Sequence, residues 1–446
     1  MQFFDLIRTV ADFIWGPQML IFILGSGLYF SFRLKGIQFT QLLRAIKALF
    51  SSGQSTGDGN ISPFQAMMTA LSGIVGNGNI GGVATAIAIG GPGAVFWMWI
   101  SALLLMATMY SESLLGFVFR EKDKDGTFLG GPMAYIQKGL GWKWLAVAFA
   151  FAMAVKALIA TTSIQSNSMS IALNAHFGVS PLLACLVIAG LTWLVIIGGL
   201  KSIACTTQFL SPFMTIFYLI GCFVVLILHL DKLGLVLNEI ITSAFTTKSA
   251  TGGFAGATVL MALRYGSARG AYSNEAGTGS VAIMHATAKT NDPVKQSLIS
   301  MLGVFIDTVV ICTITALAIL VTGFWSSGLN STALVSKSFS MTFSGGGWVV
   351  LCASMLFGYS TLITWSFYGE QSAAFIFGNK VKIYYRWLFC GAILIGATSN
   401  AENIWSMGDV LNGVTVIINL IGIVALSSVV VKYTHRYFNK QNVLQE

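Results

Sequence analysis

The 446-residue sequence is 55% hydrophobic and only 9% charged, with a mean hydropathy of +0.77. So few charges cannot clothe a water-soluble globule of this length, and the chain reads as an all-α polytopic membrane protein of a bacterial or archaeal-type inner membrane. Its formal net charge of +9 therefore bears on orientation in the bilayer, and no nucleic-acid partner is expected.

The N-terminal run Met1-Gln2-Phe3-Phe4-Asp5 has neither a basic region nor a small-residue cleavage site. No cleaved signal is expected, and the first span should stay in the protein. A span needs about 20 apolar residues, which places helices at roughly 14–32, 63–90, 93–119, 144–173, 181–199, 203–230, 252–287, 296–323, 346–377, 383–398 and 403–430, about eleven in all. Lys and Arg concentrate in alternate connections, among them Arg33, Lys35, Arg44, Arg120, Lys122, Lys138, Lys289, Lys382 and Lys432. The positive-inside rule then orients the chain N-out, C-in.

The second span contains Ser72-Gly73-Ile74-Val75-Gly76-Asn77-Gly78-Asn79-Ile80-Gly81-Gly82. A glycine-rich, amide-bearing break at membrane depth is tolerated only where the loosened backbone lines a protein cavity, because lipid cannot bond freed N–H and C=O groups. The upstream half-helix would end in free carbonyls that suit a cation, and the downstream half would begin with N–H groups that suit an anion. The alternative is close helix packing in GxxxG style.

The fourth span carries Gln165 and Asn167 about halfway along, where polar side chains face a partner helix or a cavity. Lys156 lies nine residues before Gln165, which on a regular helix is the opposite face, away from the pocket. A snorkelling or structural role is expected for it, with Asp307 as one possible partner.

The seventh span opens with Gly252-Gly253-Phe254-Ala255-Gly256 and holds Arg264 and Arg269. Its break could lie anywhere from about residue 262 to residue 273. An early break makes the two arginines cytoplasmic gate or anchor residues, the favoured reading, and a late one lets either face the pocket. Glu112, Asp307 and Asp409 are intramembrane acids, which are functional candidates by default. In the ninth span the hydroxyls of Ser360, Thr361 and Thr364 sit near Trp365, suited either to ion coordination or to back-bonding along the helix.

With the first helix set aside, ten remain in two groups of five, each opening with a broken helix. An odd number per group makes the groups inverted relative to each other, as in many secondary transporters. This divides the chain into 1–60 (first helix and cytoplasmic linker), 61–232 and 233–432 (inverted five-helix repeats) and 433–446 (cytoplasmic tail). The six cysteines have no CxxC spacing and read as small buried hydrophobes, and the four isolated histidines suggest no zinc or haem site.

Several strings resemble the alanine or glycine:cation symporters: GNGNIGGVATAIAIGGPGAVFWMW from Gly76, GGPMAYI from Gly130, Gln165-Ser166-Asn167, GGLKSIA from Gly198, RGAYSNEAGTGS from Arg269, FIDTVVICTITAL from Phe305, and Gly369-Glu370. The resemblance implies a leucine-transporter-type fold and import of a small neutral amino acid, alanine or glycine, with Na⁺ as coupling ion and no other cofactor. It implies a substrate pocket built from Asn79, Gln165 and Trp365, with the backbone around Gly73, Asn77 and Gly78 receiving the carboxylate. One Na⁺ position would use the Ser72 and Val75 carbonyls with Ser360 and Thr361, and another would fall near Ile74, Asn79 and Thr308. Asn77 stands where family members more often have Thr, a departure that bears on substrate preference or ion affinity.

Proton coupling through Asp307, Glu112 or Asp409 is the nearest competing mechanism. A membrane enzyme would need an assembled nucleophile–base pair or metal cluster, and a channel would need charge rings. The sequence displays neither.

Overall fold

The computed structural model describes residues 2–51, 57–246, 258–398 and 401–443. Two helices open the chain, α1 (Gln2–Ile14) and α2 (Pro17–Arg33), bent by 41° where Gly16 and Pro17 end one and start the other. The first was not expected, because Asp5, Arg8 and Asp12 hide it from an apolar window. It lies along the end of the penultimate helix, where Arg8 donates to Asn403 Oδ1 at 3.1 Å and the Trp15 indole donates to the Asp409 carbonyl at 2.9 Å.

The second expected span is two helices, α3 (Pro63–Ile74) and α4 (Gly81–Gly90), joined through a single tight turn at Asn77–Asn79 and bent by 58°. A reciprocal capping box starts α3: Ser62 Oγ accepts from the Gln65 amide, Gln65 Oε1 accepts from the Ser62 amide, and Pro63 fills the first helical position. There follow α5 (Gly93–Val118), a hairpin of β1 (Glu121–Lys122) with β2 (Phe128–Leu129), α6 (Lys143–Phe177), α7 (Pro181–Ile196), α8 (Gly199–Leu228) and α9 (Leu230–Ser243).

The seventh span is again two helices, α10 (Val259–Asn274) and α11 (Ser280–His285). Its expected glycine-rich head, Gly252 to Gly256, lies outside the described residues. After it come α12 (Pro293–Thr322), α13 (Ser331–Thr342), α14 (Gly346–Phe377), α15 (Val381–Thr398), α16 (Ala401–Ala425) and α17 (Ser427–Val443).

Among the described residues, α5, α6, α8, α12, α14 and Asn403–Ala425 of α16 are each long and apolar enough to cross a bilayer, and the pairs α1/α2 and α3/α4 qualify as bent spans. Large apolar side chains coat the outside: Phe209, Phe213, Ile216 and Ile220 form an exposed stripe along α8. Their i, i+3, i+4 spacing on an outward face is that of a helix whose solvent is lipid. Four of the six cysteines are buried, but Cys205 and Cys352 are exposed, and all six are free thiols. At these two positions the expectation of burial is corrected, since they sit on outer helix faces.

The two broken helices are central. α3 packs on α8, α12 and α14, α10 packs on α4 and α5, and Gly78 in the first break faces the Ser273 backbone at the end of α10.

Candidate functional site

The first break is held open by its own side chains. After Ile74 the chain turns extended at Val75 and Gly76 (φ −140°, ψ −165°) before the turn at Asn77–Asn79. Asn79 staples this turn to itself, its Oδ1 accepting from the Gly76 amide at 2.9 Å while its own amide donates to the Gly76 carbonyl at 3.1 Å. Its Nδ2 points away from the break and donates to Asp307 Oδ1 at 2.5 Å. Asn77 is one step behind the wall: it donates to Gln165 Oε1 at 2.8 Å and accepts from Ser354 Oγ at 2.5 Å, which fixes the Gln165 amide. Glycine at position 76 answers to crowding, since a Cβ there would lie 2.9 Å from Thr361 Oγ1 and 3.4 Å from Gln165 Nε2.

A small cavity opens beside the break. Gly73, Gly76 and Gly78 form one wall, Gln165, Thr361 and Trp365 another, and Tyr272, Ser273 and Glu275 a third, with Lys156 and Asn412 completing it. Of the residues singled out from sequence, Gly73, Gly78, Gln165 and Trp365 line this space, whereas Asn77 and Asn79 brace it from behind. The Trp365 indole N–H donates to Glu275 Oε1 at 3.0 Å and approaches the Gly73 carbonyl at 3.4 Å, tying the second broken helix to the first.

Lys156 reverses its expected placement. It faces the cavity, with Nζ 4.4 Å from the centre of the Trp365 ring and donating to Asn412 Oδ1 at 2.7 Å. The cause is a π-helical stretch over Lys156–Thr161. One extra residue in a turn offsets everything beyond it by about 100°, so the roughly 180° separation from Gln165 on a regular helix falls to about 80°. Asp307 and Lys156 accordingly have separate partners, Asp307 accepting from Asn79, from Ser273 at 3.2 Å and from Thr308 at 2.8 Å.

Next to the cavity, oxygens converge where α3 ends. Ser360 Oγ is 3.2 Å from the Ser72 carbonyl, and Thr361 Oγ1 is 3.4 Å from the carbonyls of both Ser72 and Val75. Both hydroxyls also reach the Phe357 carbonyl, at 3.0 and 2.9 Å. The contacts to Phe357 are back-bonds within α14, so four uncharged oxygens, two hydroxyls and two carbonyls from the end of α3, come together here, chemistry that suits a hard monovalent cation. The other expected ion position is built differently. Asn79 Oδ1 is occupied by the Gly76 amide, and Thr308 Oγ1 donates to Asp307 Oδ2 while accepting from Asn274 Nδ2 at 3.1 Å. Asn79 and Thr308 therefore meet through the Asp307 carboxylate, not through their own oxygens.

The second break falls at residues 275–279, later than the expected range, with Glu275 left-handed at φ 57°. Glu112 organises it: Oε2 accepts from the Gly277 amide at 3.1 Å and from Asn419 Nδ2 at 2.8 Å. The late break removes the premise for reading Arg264 and Arg269 as cytoplasmic gate or anchor residues. Both lie on α10 beside the N-terminal helix, in a cleft with Asp12, Trp15, Tyr272 and Asp409, and Arg264 comes within 3.9 Å of Asp12.

The ties at the hairpin end belong to different residues. Arg120 donates to the carbonyls of Ala286 (2.9 Å), Ala288 (2.8 Å), Thr290 (3.0 Å) and Asp58 (2.8 Å). Lys382 reaches from α15 to Asp125 of the hairpin at 2.5 Å.

Sequence reasoning passed over Glu275, Tyr272 and Asn412. Glu275 had a visible signal, an acid inside an expected span and followed by Gly277 and Gly279. Asn412 had none, because one amide in an apolar helix does not announce its face.

Comparison with known proteins agrees with this architecture. The profile of the sodium:alanine symporter family matches residues 1–446. The chain is 41% identical over 446 residues to the sodium/alanine symporter AgcS of Methanococcus maripaludis, covering 98% of each sequence. It is 34% identical over 439 residues to the amino-acid carrier protein AlsT of Bacillus subtilis, covering 98% of this chain and 92% of that one. Among solved structures, the Eremococcus coleocola manganese transporter superposes with a TM-score of 0.53 at 14% identity, over 82% of this chain and 79% of that one, which is a likeness of fold.

Proposed function

The chain belongs to the sodium:alanine symporter family, and from that premise we propose that it imports a small neutral amino acid, alanine or glycine, together with Na⁺ by alternating access across the cell membrane. The observation that carries the reading is the convergence of the Ser72 and Val75 carbonyls with Ser360 and Thr361 against the wall of the cavity. An ion bound there would hold α3 to α14, and those two helices supply Gly73, Thr361 and Trp365 to the same cavity. Ion and solute would then stabilise one arrangement, and this mutual stabilisation is coupling.

In this reading the substrate carboxylate sits against the amides of the break near Gly76 and Gly78, at the start of α4. Gln165, fixed by Asn77, and Trp365 bound the rest. The small cavity and the crowding at Gly76 support a substrate with a one-carbon side chain or none. Eleven spans as two inverted groups of five after the first, running N-out to C-in, fit the two broken helices and the gathering of Arg120, Lys382 and Lys289 at the hairpin end.

Proton coupling is the second reading, favoured by Asp307, a fully buried carboxylate touching Asn79 of the break. Uptake of labelled alanine and glycine into proteoliposomes, with sodium and proton gradients imposed separately, decides between the two. Accumulation driven by the sodium gradient alone is expected, and accumulation that follows only the proton gradient would overturn sodium coupling.

A further inference from the structure

The cavity contains two charges of opposite sign that the transport reading leaves unused. Lys156 and Glu275 are 6% and 8% exposed, and what exposure they have is to this space. Removing two ions from water costs several kcal/mol each unless they contact one another or a ligand. These two are not in contact: among the described residues no ion pair within 4.0 Å joins them. Both instead touch Trp365, with the ammonium 4.4 Å from its ring centre and the carboxylate accepting from its indole N–H at 3.0 Å.

Each group is also incompletely used. The ammonium has three donors and commits one to Asn412, while the carboxylate has room for about four hydrogen bonds and accepts from Trp365 and, at 2.6 Å, from Ser280. Both therefore keep bonding capacity next to the same cavity.

We propose that Lys156 and Glu275, both touching the Trp365 indole, form a fixed dipole that reads the zwitterion itself: Glu275 accepts the substrate ammonium, and Lys156 adds a charged donor to the carboxylate held at the first break. The proposal rests on the substrate being an α-amino acid and deepens that reading by naming the residues that demand both of its charges. A solute carrying one charge leaves one member of the dipole desolvated and unanswered, a penalty that falls on the wrong ligand and not on the right one. The dipole brings no net charge, so it selects for zwitterions without displacing the cation from its own oxygens. The π-helical stretch that turns Lys156 inward acquires a purpose on the same account.

The test compares equilibrium binding of alanine, lactate (hydroxyl for ammonium) and alaninamide (amide for carboxylate) to the purified full-length chain in sodium, followed as ligand-induced thermal stabilisation. Glu275→Gln should lower the alanine-to-lactate preference about tenfold and leave alanine-to-alaninamide unchanged, and Lys156→Met should do the reverse. Where a single substitution unfolds the chain by stranding one buried charge, the double variant Lys156→Met/Glu275→Gln decides, because it strands none. It should fold and lose both preferences. Unchanged preferences, or an equal fall in both from either single substitution, would overturn the dipole. Failure of the transport reading is distinguishable: the unsubstituted chain would then give no sodium-driven alanine uptake at all.

Discussion

Asn79 shows how a residue can be indispensable to a pocket it does not line. Its amide oxygen satisfies the Gly76 N–H and its nitrogen satisfies Asp307, so one side chain settles two buried polar groups on two helices. Asn79→Ala strands the Gly76 N–H, at about 1–3 kcal/mol, removes one of the three side-chain donors to Asp307, and frees the turn that shapes the break. We expect sodium-driven alanine uptake to be abolished while the variant still inserts and purifies as a folded chain; wild-type uptake would disprove the stapling role. Thr361 makes a sharper probe of the ion position, because its hydroxyl reaches both the Ser72 and the Val75 carbonyls. Thr361→Val keeps the shape and deletes the oxygen, so the sodium concentration for half-maximal uptake should rise about tenfold or more, equivalent to at least about 1.4 kcal/mol. Serine at the same position should restore most of the affinity.

At the scale of elements, what was legible in the sequence is what depends on composition over a window. The boundaries of α5, α14 and the broken α3/α4 pair lie within a few residues of their expected limits, because apolar length and glycine content determine them. The helices α1, α9 and α13 escaped because their polar residues dilute any apolar window. Local winding was not legible either. Lys156 belongs to the cavity only because six residues of α6 adopt π geometry, and nothing in Lys-Ala-Leu-Ile-Ala-Thr distinguishes that stretch from an ordinary helix. The break in the seventh span was misplaced for a related reason: Gly266 and Gly270 are as glycine-like as Gly277 and Gly279, yet they serve close packing of α10 on Ala94, Met98 and Ser101 of α5. A direct prediction follows from the winding. Deleting Leu158 removes the extra residue and leaves Lys156 eight residues from Gln165 on a regular helix, still about 80° away and facing the cavity. The variant should assemble in the membrane and still bind alanine, as thermal stabilisation by the ligand would report; lost binding would mean that the π stretch does more for the site than turn Lys156 inward.

For the whole molecule the decisive question is what must separate when the cavity changes sides. At the hairpin end the proposed repeats are cross-tied in both directions: Arg120 from the first grips carbonyls at 286, 288 and 290 in the second, and Lys382 from the second grips Asp125 in the first. Partial burial works to raise the Asp125 carboxyl, but the Lys382 hydrogen bond and the Thr127 amide outweigh it and hold it below its usual value. A carboxyl depressed in the folded state stabilises above its unfolded value, near 4, and loses that contribution as pH falls through the folded one. The tie therefore persists across the physiological range, and Asp125→Asn should make the pH dependence of thermal stability below about pH 4 less steep, which a scan of melting temperature against pH would detect. Arg120 is the stronger tie, since one guanidinium donates to four carbonyls. On the proposed alternating-access reading these bonds must break in one state and re-form in the other, so removing them should shift the balance without touching the site. In a background free of native cysteines, a cysteine at Thr161, which lines the cavity, should react with a thiol reagent supplied from the hairpin side several-fold faster when Arg120→Ala is added. Alanine should slow that reaction in both backgrounds, because the ligand still binds. Equal reaction rates with and without Arg120 would show that the hairpin end is closed by packing alone and that the four carbonyl bonds are incidental to transport.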